Sequence, residues 1–345
     1  MIDLKSLSEE EIHRSMENEG LPKFRARQLL HWLYERNVSD IESITELSKE
    51  LRSRLSRSYF ISKPKLAREE VSQDGTSKYL FELSDGQDIE SVLIPDGDRL
   101  TLCVSSQAGC YLKCAFCLTG KAGFRRDLKH YEITDQVLSV NNIIYPKRIT
   151  NIVLMGMGEP LLNFDNVAKA VDLITKYVKI SKRRITLSTA GIAKELNRIG
   201  RDMQMVNLAV SLNAPNDVTR SMLMPINRKY PLKDLIKACR EFPLPTRRRI
   251  TFEYIMIKDT NDSVKDAVDV VKLLKGIPSK VNLIPLNPVA GIMLERSSDR
   301  TIHEFQKILL KNNVTAIIRK SKGADISAAC GQLRGKHPAG IDQPI

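Results

Sequence analysis

Beyond residue 99, apolar strand patterns alternate with amphipathic helical patterns, and this alternation is the strongest constraint on the fold. Alternating strands and helices predict a parallel sheet with right-handed crossovers. The number of repeats suits an α/β fold, an incomplete (β/α)6 barrel, in which the chemistry lies at the carboxyl ends of the strands. After a first strand near residue 100, the predicted strands are Asn151–Met155, Arg184–Ser188, Val206–Leu212, Ile250–Ile257, Val281–Leu286 and Val314–Ile318.

The residues before this repeat have a different pattern and predict two accessory parts. Residues 1–62 have helical periodicity, and Ser8 followed by Glu11 makes a capping box for a first helix. In residues 63–98, three Asp-Gly pairs separate short apolar runs, which is typical of antiparallel hairpins. We therefore predict a small helical domain over 1–62, an antiparallel β extension over 63–98 and a core over 99–345. The strands predicted around the Asp-Gly pairs are Leu66–Val71, Lys78–Leu83, Ile89–Ile94 and Leu100–Ser105.

Three cysteines within eight residues, Cys110, Cys114 and Cys117, have the spacing C-x3-C-x2-C. Thiolates are soft ligands for zinc, copper(I) and iron–sulfur clusters. A structural zinc site usually needs four ligands, and no fourth Cys or His follows at metal-ligand spacing. A 4Fe-4S cluster on three thiolates leaves one iron open to a substrate. The spacing favours this cluster, while a zinc site with Cys103 as fourth ligand and three merely buried thiols stay open.

The composition is that of a basic protein with ordinary hydrophobic content. Of 345 residues 42% are hydrophobic, the formal net charge is +13 and the pI is about 9.4. This charge is typical of nucleic-acid binding, although solubilising charge explains it equally well. The first residues lack the apolar core of a signal peptide, and no apolar run is long enough for a transmembrane helix. Six cysteines without paired spacing argue against a secreted disulfide scaffold, so we expect a cytoplasmic protein that is not bound to membranes.

Three further motifs connect the cysteine triad to a known family. They are Thr101–Gln107 before the triad, Gly156–Pro160 after it and Asp325–Leu333 near the end. Together with the triad they resemble the RlmN/Cfr group of radical S-adenosylmethionine (SAM) RNA adenine methyltransferases. The similarity runs over nearly the whole chain. It implies an enzyme that uses a 4Fe-4S cluster held by the triad and two SAM molecules per turnover.

The resemblance also implies a set of SAM contacts at the strand ends. The Gly-x-Gly-Glu loop after a strand matches the family motif that holds the amino end of SAM, whereas by itself it is a weak signal that a tight turn also explains. Asn213 stands where the family often has His, so its contact departs from the common pattern. The SAM contacts implied in this way are Gly158, Glu159, Ser188, Ser211, Leu212, Asn213 and Asn287.

Three residues outside the triad match the family's catalytic residues. Cys330 matches the cysteine that carries the methyl group, and Cys103 matches the second reactive cysteine. Glu90 matches the glutamate that takes part in proton transfer at the base. Without the resemblance, Cys330 would be a buried small residue and Glu90 an exposed strand carboxylate. Basic residues beside Cys330 are expected to lower its thiol pKa.

The resemblance implies methylation of carbon 2 of an adenosine in 23S rRNA, at the peptidyl transferase centre, and in tRNA beside the anticodon. The route runs through a methyl-cysteine, a transient protein–RNA adduct and a transient disulfide, with an electron donor such as flavodoxin and a monomeric enzyme. The target base must be unstacked to enter a pocket. The residues predicted to contact RNA phosphates are Lys121, Arg125, Arg126, Lys129, Arg319, Lys320, Lys322, Arg334 and Lys336.

Two alternatives stay open at this point. One is methylation at carbon 8 of the same adenine, as in Cfr-type enzymes, although Pro160 and the following Leu-Leu-Asn look like the carbon-2 enzymes. The other is a non-catalytic iron–sulfur or zinc protein that binds RNA. Metal content separates a cluster-bearing protein from a zinc protein, because a cluster contains about four irons and a structural site about one zinc.

Overall fold

A computed structural model describes residues 1–288, 291–333 and 335. The predicted phosphate contacts Arg334 and Lys336 lie outside these residues. Within them, no helix has the length and apolar character that crossing a lipid bilayer requires.

The N-terminal part is a small helical unit with its own hydrophobic core, and the capping box of Ser8 and Glu11 is present. Its two short strands pair in parallel and bring the start of the chain back to the end of the unit. The core includes Leu138, which belongs to a helix of the main domain, so the unit is packed against that domain. Its elements are β1 (Ile2–Asp3), α1 (Glu9–Asn18), α2 (Phe24–Tyr34), α3 (Lys49–Ser58) and β2 (Tyr59–Phe60).

Two contacts fix this unit on the main domain. The Lys5 Nζ lies 2.6 Å from Oδ1 of Asp135, and both side chains are almost fully buried, at 0% and 2% exposure. The ring of Tyr34 stacks on Tyr177 with 5.3 Å between centroids. A buried ion pair contributes little net stability, but a charge that loses its partner is costly there. The pair therefore specifies one docked arrangement.

All ten strands predicted from residue 66 onward are present in one ten-stranded sheet, with ends within two residues of the predicted ones. Four of them form an antiparallel meander, and Gly75, Gly86 and Gly97 have the positive φ that its Asp-Gly turns require. These strands are β3 (Lys65–Val71), β4 (Ser77–Glu82), β5 (Asp88–Asp96) and β6 (Arg99–Cys103).

Beyond β6, a hairpin and three helix–strand pairs follow. The two-stranded hairpin was not predicted, because its strands have only three and four residues. The first long helix begins at His130, where the Glu132 carboxylate accepts a hydrogen bond from the Lys129 N–H and caps the helix. The elements are β7 (Gln107–Gly109), α4 (Leu118–Ala122), β8 (Phe124–Asp127), α5 (His130–Ile143), β9 (Asn151–Leu154), α6 (Phe164–Leu173), β10 (Ile185–Thr189), α7 (Leu196–Asp202) and β11 (Asn207–Ser211).

The rest of the chain completes the sheet. Strand β6 pairs in parallel with β9, and the parallel pairing continues to the last strand, which makes seven parallel strands with six crossovers. The apolar core lies between this sheet and its helices. The predicted incomplete barrel with an antiparallel extension is therefore confirmed. The last elements are α8 (Asp217–Leu223), α9 (Leu232–Glu241), β12 (Ile250–Met256), α10 (Val264–Leu274), β13 (Ser279–Pro285), α11 (Asp299–Lys311) and β14 (Thr315–Ile318).

The buried ion pair gives a stability prediction. Lys5→Met removes the only cation within ion-pair distance of Asp135 among the described residues, so we expect a loss of about 3–5 kcal/mol in the free energy of unfolding. The double variant Lys5→Met/Asp135→Leu should recover most of it. Lys265→Met is the matched control, because its ion pair with Asp269 lies on the surface, where water screens the charges, so its loss should leave the free energy of unfolding nearly unchanged. Urea unfolding measures each value, and equal losses for the two lysines would contradict the prediction.

Candidate active site

The predicted site residues come together at the carboxyl edge of the parallel sheet. Cys103 is the last residue of β6, and Glu159 lies five residues beyond the end of β9. Ser188 and Ser211 lie at the ends of β10 and β11, both half-buried. Asn287 follows β13. Because these strands are parallel and adjacent, their carboxyl ends share one edge of the sheet.

Behind this edge lies a small cavity of about 90 Å³. Cys103, Cys117 and Cys330 all line it, together with Asn287 and Arg319. Cys103 and Cys330, from outside the triad, thus share one cavity with Cys117, the last cysteine of the triad. This juxtaposition connects the first parallel strand, the triad and the segment after the last strand.

Burial controls the pKa values of Cys103 and Cys330. Burial first, and the neighbouring Cys330 second, raise the pKa of Cys103 to about 12. Cys330 is exposed to solvent through the cavity. The surrounding protein nevertheless desolvates its thiol, and this desolvation raises the pKa of Cys330 as well. The predicted lowering of the Cys330 pKa is therefore wrong in its net direction. Arg319 does act to lower it, but burial outweighs this one guanidinium.

The triad occupies a loop that the unpredicted hairpin closes. β7 and β8 pair on either side of it, and the Cys110 N–H donates to the carbonyl of Gly123 at 3.1 Å. Gly109 has to be glycine, since a Cβ there would lie 1.9 Å from the same carbonyl oxygen. On the other side, the Ala115 N–H donates to the carbonyl of Leu223 at 2.9 Å. The loop is therefore fixed at both flanks.

The donor set of the triad fits an iron–sulfur cluster. The three cysteines pack in one apolar cluster, where burial raises the pKa of Cys110 to about 12 and that of Cys114 well above its usual value. Cys117 also raises the pKa of both Cys110 and Cys114, and Cys110 raises that of Cys114, so thiolates at these positions need a cationic partner. Soft sulfur donors suit iron in this role.

A single zinc ion fits this arrangement poorly. Tetrahedral zinc holds its sulfurs about 2.3 Å from one point, and no three His, Cys, Asp or Glu side chains in the described ranges converge in this way. A 4Fe-4S cluster instead binds each cysteine through a different iron, which spreads the ligands. Cys103, the proposed fourth zinc ligand, packs with Val92, Met157 and Ala328 rather than with the triad. The zinc interpretation therefore loses its fourth ligand.

Glu159 is buried beside the triad loop. One carboxylate oxygen accepts from the N–H of Leu161 at 3.1 Å and the other from the N–H of Ala190 at 2.6 Å. Burial nevertheless raises its pKa to about 7, and these hydrogen bonds offset only part of the effect. Its charge in turn raises the pKa of both Cys110 and Cys114. A cationic or amino group brought to this position would stabilise the carboxylate.

Other members of the predicted SAM set have roles within the fold. Gly158 allows a close approach, but to the protein itself, since a Cβ there would lie 2.6 Å from Cβ of Gln107. Leu212 is fully buried in the core. The side-chain oxygen of Asn213 accepts from the N–H of Ile255 at 2.9 Å, so it is already satisfied. Ser188, Ser211 and Asn287 remain the members with side chains at the sheet edge or the cavity.

Asn287 and Glu90 lie on the two sides of the cysteine pair. The side-chain NH2 of Asn287 lies 3.4 Å from the carbonyl of Cys330, and its oxygen accepts from the Ser321 hydroxyl at 2.5 Å. Glu90 is buried on β5, and Val92, two residues further along the strand, lies opposite Cys103. The side chains of Glu90 and Cys103 therefore lie on the same face of the sheet. Its carboxylate accepts from the N–H of Gly335 at 3.2 Å. Glu90 is thus not the exposed carboxylate that its sequence context alone suggests.

Arg220 is a site residue that the sequence analysis missed. Its guanidinium is fully buried, and burial lowers its pKa to about 10. It donates to the carbonyls of Ala190, Ser211 and Leu212 at 2.7, 3.0 and 3.0 Å, and to the Asn227 side chain at 2.7 Å. The charge therefore ties the ends of β10 and β11 to α8, whose last residue holds the triad loop.

The predicted phosphate contacts divide into two kinds. Arg126 is engaged, because it donates to Asp85 at 2.5 Å and to both carboxylate oxygens of Glu132 at 2.7 and 2.8 Å. These ion pairs compete with the predicted phosphate contact of Arg126. Lys320 and Lys322 both line the cavity; Lys320 is exposed and Lys322 is half-buried. These residues keep a cationic surface beside Cys330.

Comparison with known proteins agrees with this geometry. Residues 2–61 match the ribosomal RNA large subunit methyltransferase N-terminal domain, and residues 104–271 match the Radical SAM superfamily. The chain is 48% identical over 336 residues to the dual-specificity RNA methyltransferase RlmN of Pelobacter propionicus, covering 97% of this chain and 96% of the relative. It is 50% identical to that of Geobacter sulfurreducens, covering 100% and 96%. The chain belongs to the RlmN family.

A solved structure supports the same assignment. The crystal structure of a radical SAM methyltransferase from Sphaerobacter thermophilus superposes with a TM-score of 0.92 at 41% identity, covering 97% of this chain and all of that one. As a member of the RlmN family, the chain is a radical SAM RNA methyltransferase that uses a 4Fe-4S cluster and SAM. All six cysteines are free thiols in the structure, so the disulfide that the resemblance implies is not observed.

The raised pKa of Glu159 gives a pH prediction. Between about pH 4.5 and 7 the folded protein retains a proton on Glu159 that the unfolded chain has lost, so the free energy of unfolding falls as pH rises through this window. The decrease amounts to about 3 kcal/mol and ends near pH 7. In Glu159→Gln this part of the pH dependence is absent, which urea unfolding at pH 5 and pH 8 measures. Glu10→Gln, on the exposed side of α1, is the matched control; an unchanged pH profile in Glu159→Gln would contradict the assignment.

Proposed function

We propose that this RNA methyltransferase adds a methyl group to carbon 2 of an adenosine in 23S rRNA at the peptidyl transferase centre, and in tRNA beside the anticodon. The observation that carries the proposal is the cavity that Cys103, Cys117 and Cys330 share. The relatives are named dual-specificity RNA methyltransferases, and the N-terminal match is to a large-subunit ribosomal RNA methyltransferase domain. A carbon-8 product is the competing outcome, which mass spectrometry of the modified nucleoside distinguishes.

The chemistry needs a methyl carrier because carbon 2 of adenine is electron-poor and cannot displace the methyl group of SAM. Cys110, Cys114 and Cys117 would hold the 4Fe-4S cluster, which together with SAM supplies a radical able to remove a hydrogen atom from a methyl group. The Cys330 thiolate accepts a methyl group from one SAM by displacement, so a sulfur–carbon bond forms as the sulfonium bond breaks. With a second SAM consumed to remove that hydrogen atom, the carrier carbon would add to carbon 2 of the base. The adduct would then give up its unpaired electron to the oxidised cluster and its ring proton to a base, which leaves a methylene between the Cys330 sulfur and the RNA.

The remaining steps belong to the residues beside Cys330. Cys103 attacks the Cys330 sulfur, so a transient disulfide forms as the sulfur–carbon bond to the RNA breaks. The released carbon takes up a proton to become the methyl group, and a thiol reductant returns the disulfide to two thiols with two electrons. Glu90, on the same sheet face as Cys103, accepts the proton that leaves the ring. Glu159 and Asn287 position SAM, with Gly158, Ser188, Ser211, Leu212 and Asn213 shaping the strand ends around it. The proximity of Glu159 to the triad supports its part in this set.

The parts of the chain have separate tasks in this proposal. Residues 1–62 form an accessory domain that contacts RNA, residues 63–98 form the β extension, and residues 99–345 form the catalytic core. The separate hydrophobic core of the helical unit supports the first boundary. The enzyme acts as a cytoplasmic monomer and receives electrons from a small carrier protein such as flavodoxin.

Cys103 and Cys330 test the mechanism. Cys330→Ala cannot take the first methyl group and should form no product. Cys103→Ala should still form the carbon bond to RNA but cannot release it, so protein and RNA should remain covalently joined. A denaturing gel with labelled RNA should show a slow band for Cys103→Ala that disappears in the double variant. Cys239→Ala is the matched control, since this cysteine is buried in α9 away from the cavity. Normal turnover by Cys103→Ala would refute the covalent mechanism.

The cationic surface beside Cys330 gives a binding prediction. Lys320→Ala should weaken RNA binding and reduce the slope of log affinity against log salt by about one, because one phosphate contact is lost. Arg126→Ala is the control, since its guanidinium is already paired with Asp85 and Glu132 and should leave the slope unchanged. Filter binding between low and moderate salt measures both. Equal slopes for Lys320→Ala and the unmodified protein would remove Lys320 from the interface.

A further inference from the structure

The three Asp-Gly turns of the β extension are alike in sequence but differ in their surroundings. They are Asp74-Gly75, Asp85-Gly86 and Asp96-Gly97, and each glycine has a positive φ. Residues 319–333, which carry Cys330, are called the carrier loop below. The first turn is bonded to the carrier loop, whereas no hydrogen bond joins the other two turns to it among the described residues. A turn does not need such a contact to form, so the contact requires another explanation.

The first turn and the carrier loop hold each other through a carboxylate on each side. Oδ2 of Asp74 accepts from the N–H of Gly323 at 3.1 Å. In the opposite direction, the carboxylate of Asp325 accepts from the Ser72 hydroxyl at 2.6 Å and from the Gln73 N–H at 3.2 Å. Hydrogen bonds to ionised carboxylates are stronger than neutral ones. Together these bonds fix residues 323–325 of the carrier loop in place.

Steric fit and a lysine extend this anchor. Gly323 has φ of +62°, and a Cβ there would lie 2.8 Å from Cγ2 of Thr76, so the loop backbone lies directly on the turn. Lys78, at the start of β4, donates to the carbonyl of Ile326 at 2.6 Å. The anchor therefore covers residues 323–326, immediately before the segment that carries the thiol.

A second anchor follows Cys330. The N–H of Leu118 donates to the carbonyl of Gly331 at 2.7 Å, and the Thr119 hydroxyl donates to the carbonyl of Leu333 at 2.6 Å. A Cβ on Gly331 would lie 2.9 Å from the carbonyl of Phe116, so this end of the loop touches the triad loop. Residues 327–330 are thus suspended between the β extension and the triad loop. A segment this short cannot move its thiol far while both ends are fixed.

We propose that the first turn of the β extension positions the carrier thiol, with Asp74 and Ser72 as positioning residues for Cys330. The proposal rests on the proposed function in so far as Cys330 carries the methyl group. A carrier thiol must meet the methyl donor, the base and Cys103 in turn, and an ordered loop raises the effective concentration of its sulfur at each. The β extension then has a mechanical task, which is to hold one end of this loop.

The test measures how readily Cys330 meets Cys103, and it needs neither cluster nor SAM. In a buffer with oxidised glutathione, the two thiols form a disulfide; each loses a proton, and glutathione disulfide is reduced to two glutathione thiols. Peptide mass spectrometry of the full-length protein follows the Cys103–Cys330 disulfide specifically. In Asp74→Asn the amide keeps one oxygen for the Thr76 N–H but turns an NH2 group towards the Gly323 N–H. We expect disulfide formation to slow by about tenfold as the effective concentration falls.

Matched variants separate positioning from general stability. Asp96→Asn changes an equivalent turn whose side chain pairs only with the exposed Arg99 among the described residues, and it should leave the disulfide rate unchanged. Ser72→Ala removes the hydroxyl bond to Asp325 and the bond that this hydroxyl accepts from the Asp74 N–H, but it keeps the carboxylate of Asp74 that binds Gly323. It should slow the reaction in the same direction by a smaller factor. Hydrogen exchange of residues 319–333 should rise in Asp74→Asn and Ser72→Ala while the urea midpoint stays that of the unmodified protein. If Asp74→Asn lowers that midpoint, the disulfide rate of Ser72→Ala decides whether the first turn positions Cys330.

The outcomes distinguish this proposal from the function on which it rests. An unmodified disulfide rate in both Asp74→Asn and Ser72→Ala would overturn the positioning role, whatever the activity of Cys330→Ala. If the rate slows as expected but Cys330→Ala still methylates RNA, the turn positions the loop and the methyl-carrier assignment fails. If Asp96→Asn slows the rate as much as Asp74→Asn, the effect belongs to the whole extension, and the specific role of the first turn is refuted.

Discussion

The carboxyl ends of seven parallel strands meet at one edge of the sheet, and the chemistry of the protein depends on this edge. Neighbouring strand ends lie about 5 Å apart in space although a crossover separates them in sequence. The sheet also curves, because Cys103 at the end of the first parallel strand and Arg319 after the last line the same cavity. Only a barrel-like curvature brings the first and the last of the seven parallel strands together. Cys330 reaches Cys103 through this closure, across more than two hundred residues of sequence.

The buried guanidinium of Arg220 maintains part of this edge at an electrostatic cost. A fully buried charge is unfavourable unless its donors are satisfied, and here backbone carbonyls and one amide side chain accept from it. Carbonyls at the ends of parallel strands have no further strand to pair with, so the guanidinium satisfies acceptors that would otherwise be unpaired. Its charge also acts to lower the pKa of Cys114. Arg220 thus links the backbone order of the strand ends to the electrostatics of the triad.

Periodicity predicted the strands because buried parallel strands are long enough to have a pattern, and the Asp-Gly turns predicted the meander. The pattern fails where contacts are short or distant. The hairpin of Gln107–Gly109 with Phe124–Asp127 is too short for a periodic signal. Arg220 binds mostly backbone carbonyls, which no motif records, and Arg126 looked like a free cation because Asp85 is 41 residues away. The roles proposed for Cys330 and Glu90 came from family motifs, since neither side chain has a distinctive local pattern.

The thiol of Cys330 shows why nearby basic residues in sequence do not determine a pKa. Burial favours the neutral thiol, and Arg319 alone does not reverse this. A neutral thiol is a poor nucleophile, so the proposed methyl transfer needs additional positive charge at the moment of reaction. SAM carries that charge on the sulfonium that holds its methyl group, and an opposite charge a few ångströms away favours the thiolate. Under the proposed function, the donor thereby helps to ionise the thiol that attacks it. Without the donor, both Cys330 and Cys103 remain protonated, which slows their conversion to a disulfide before the substrate is in place.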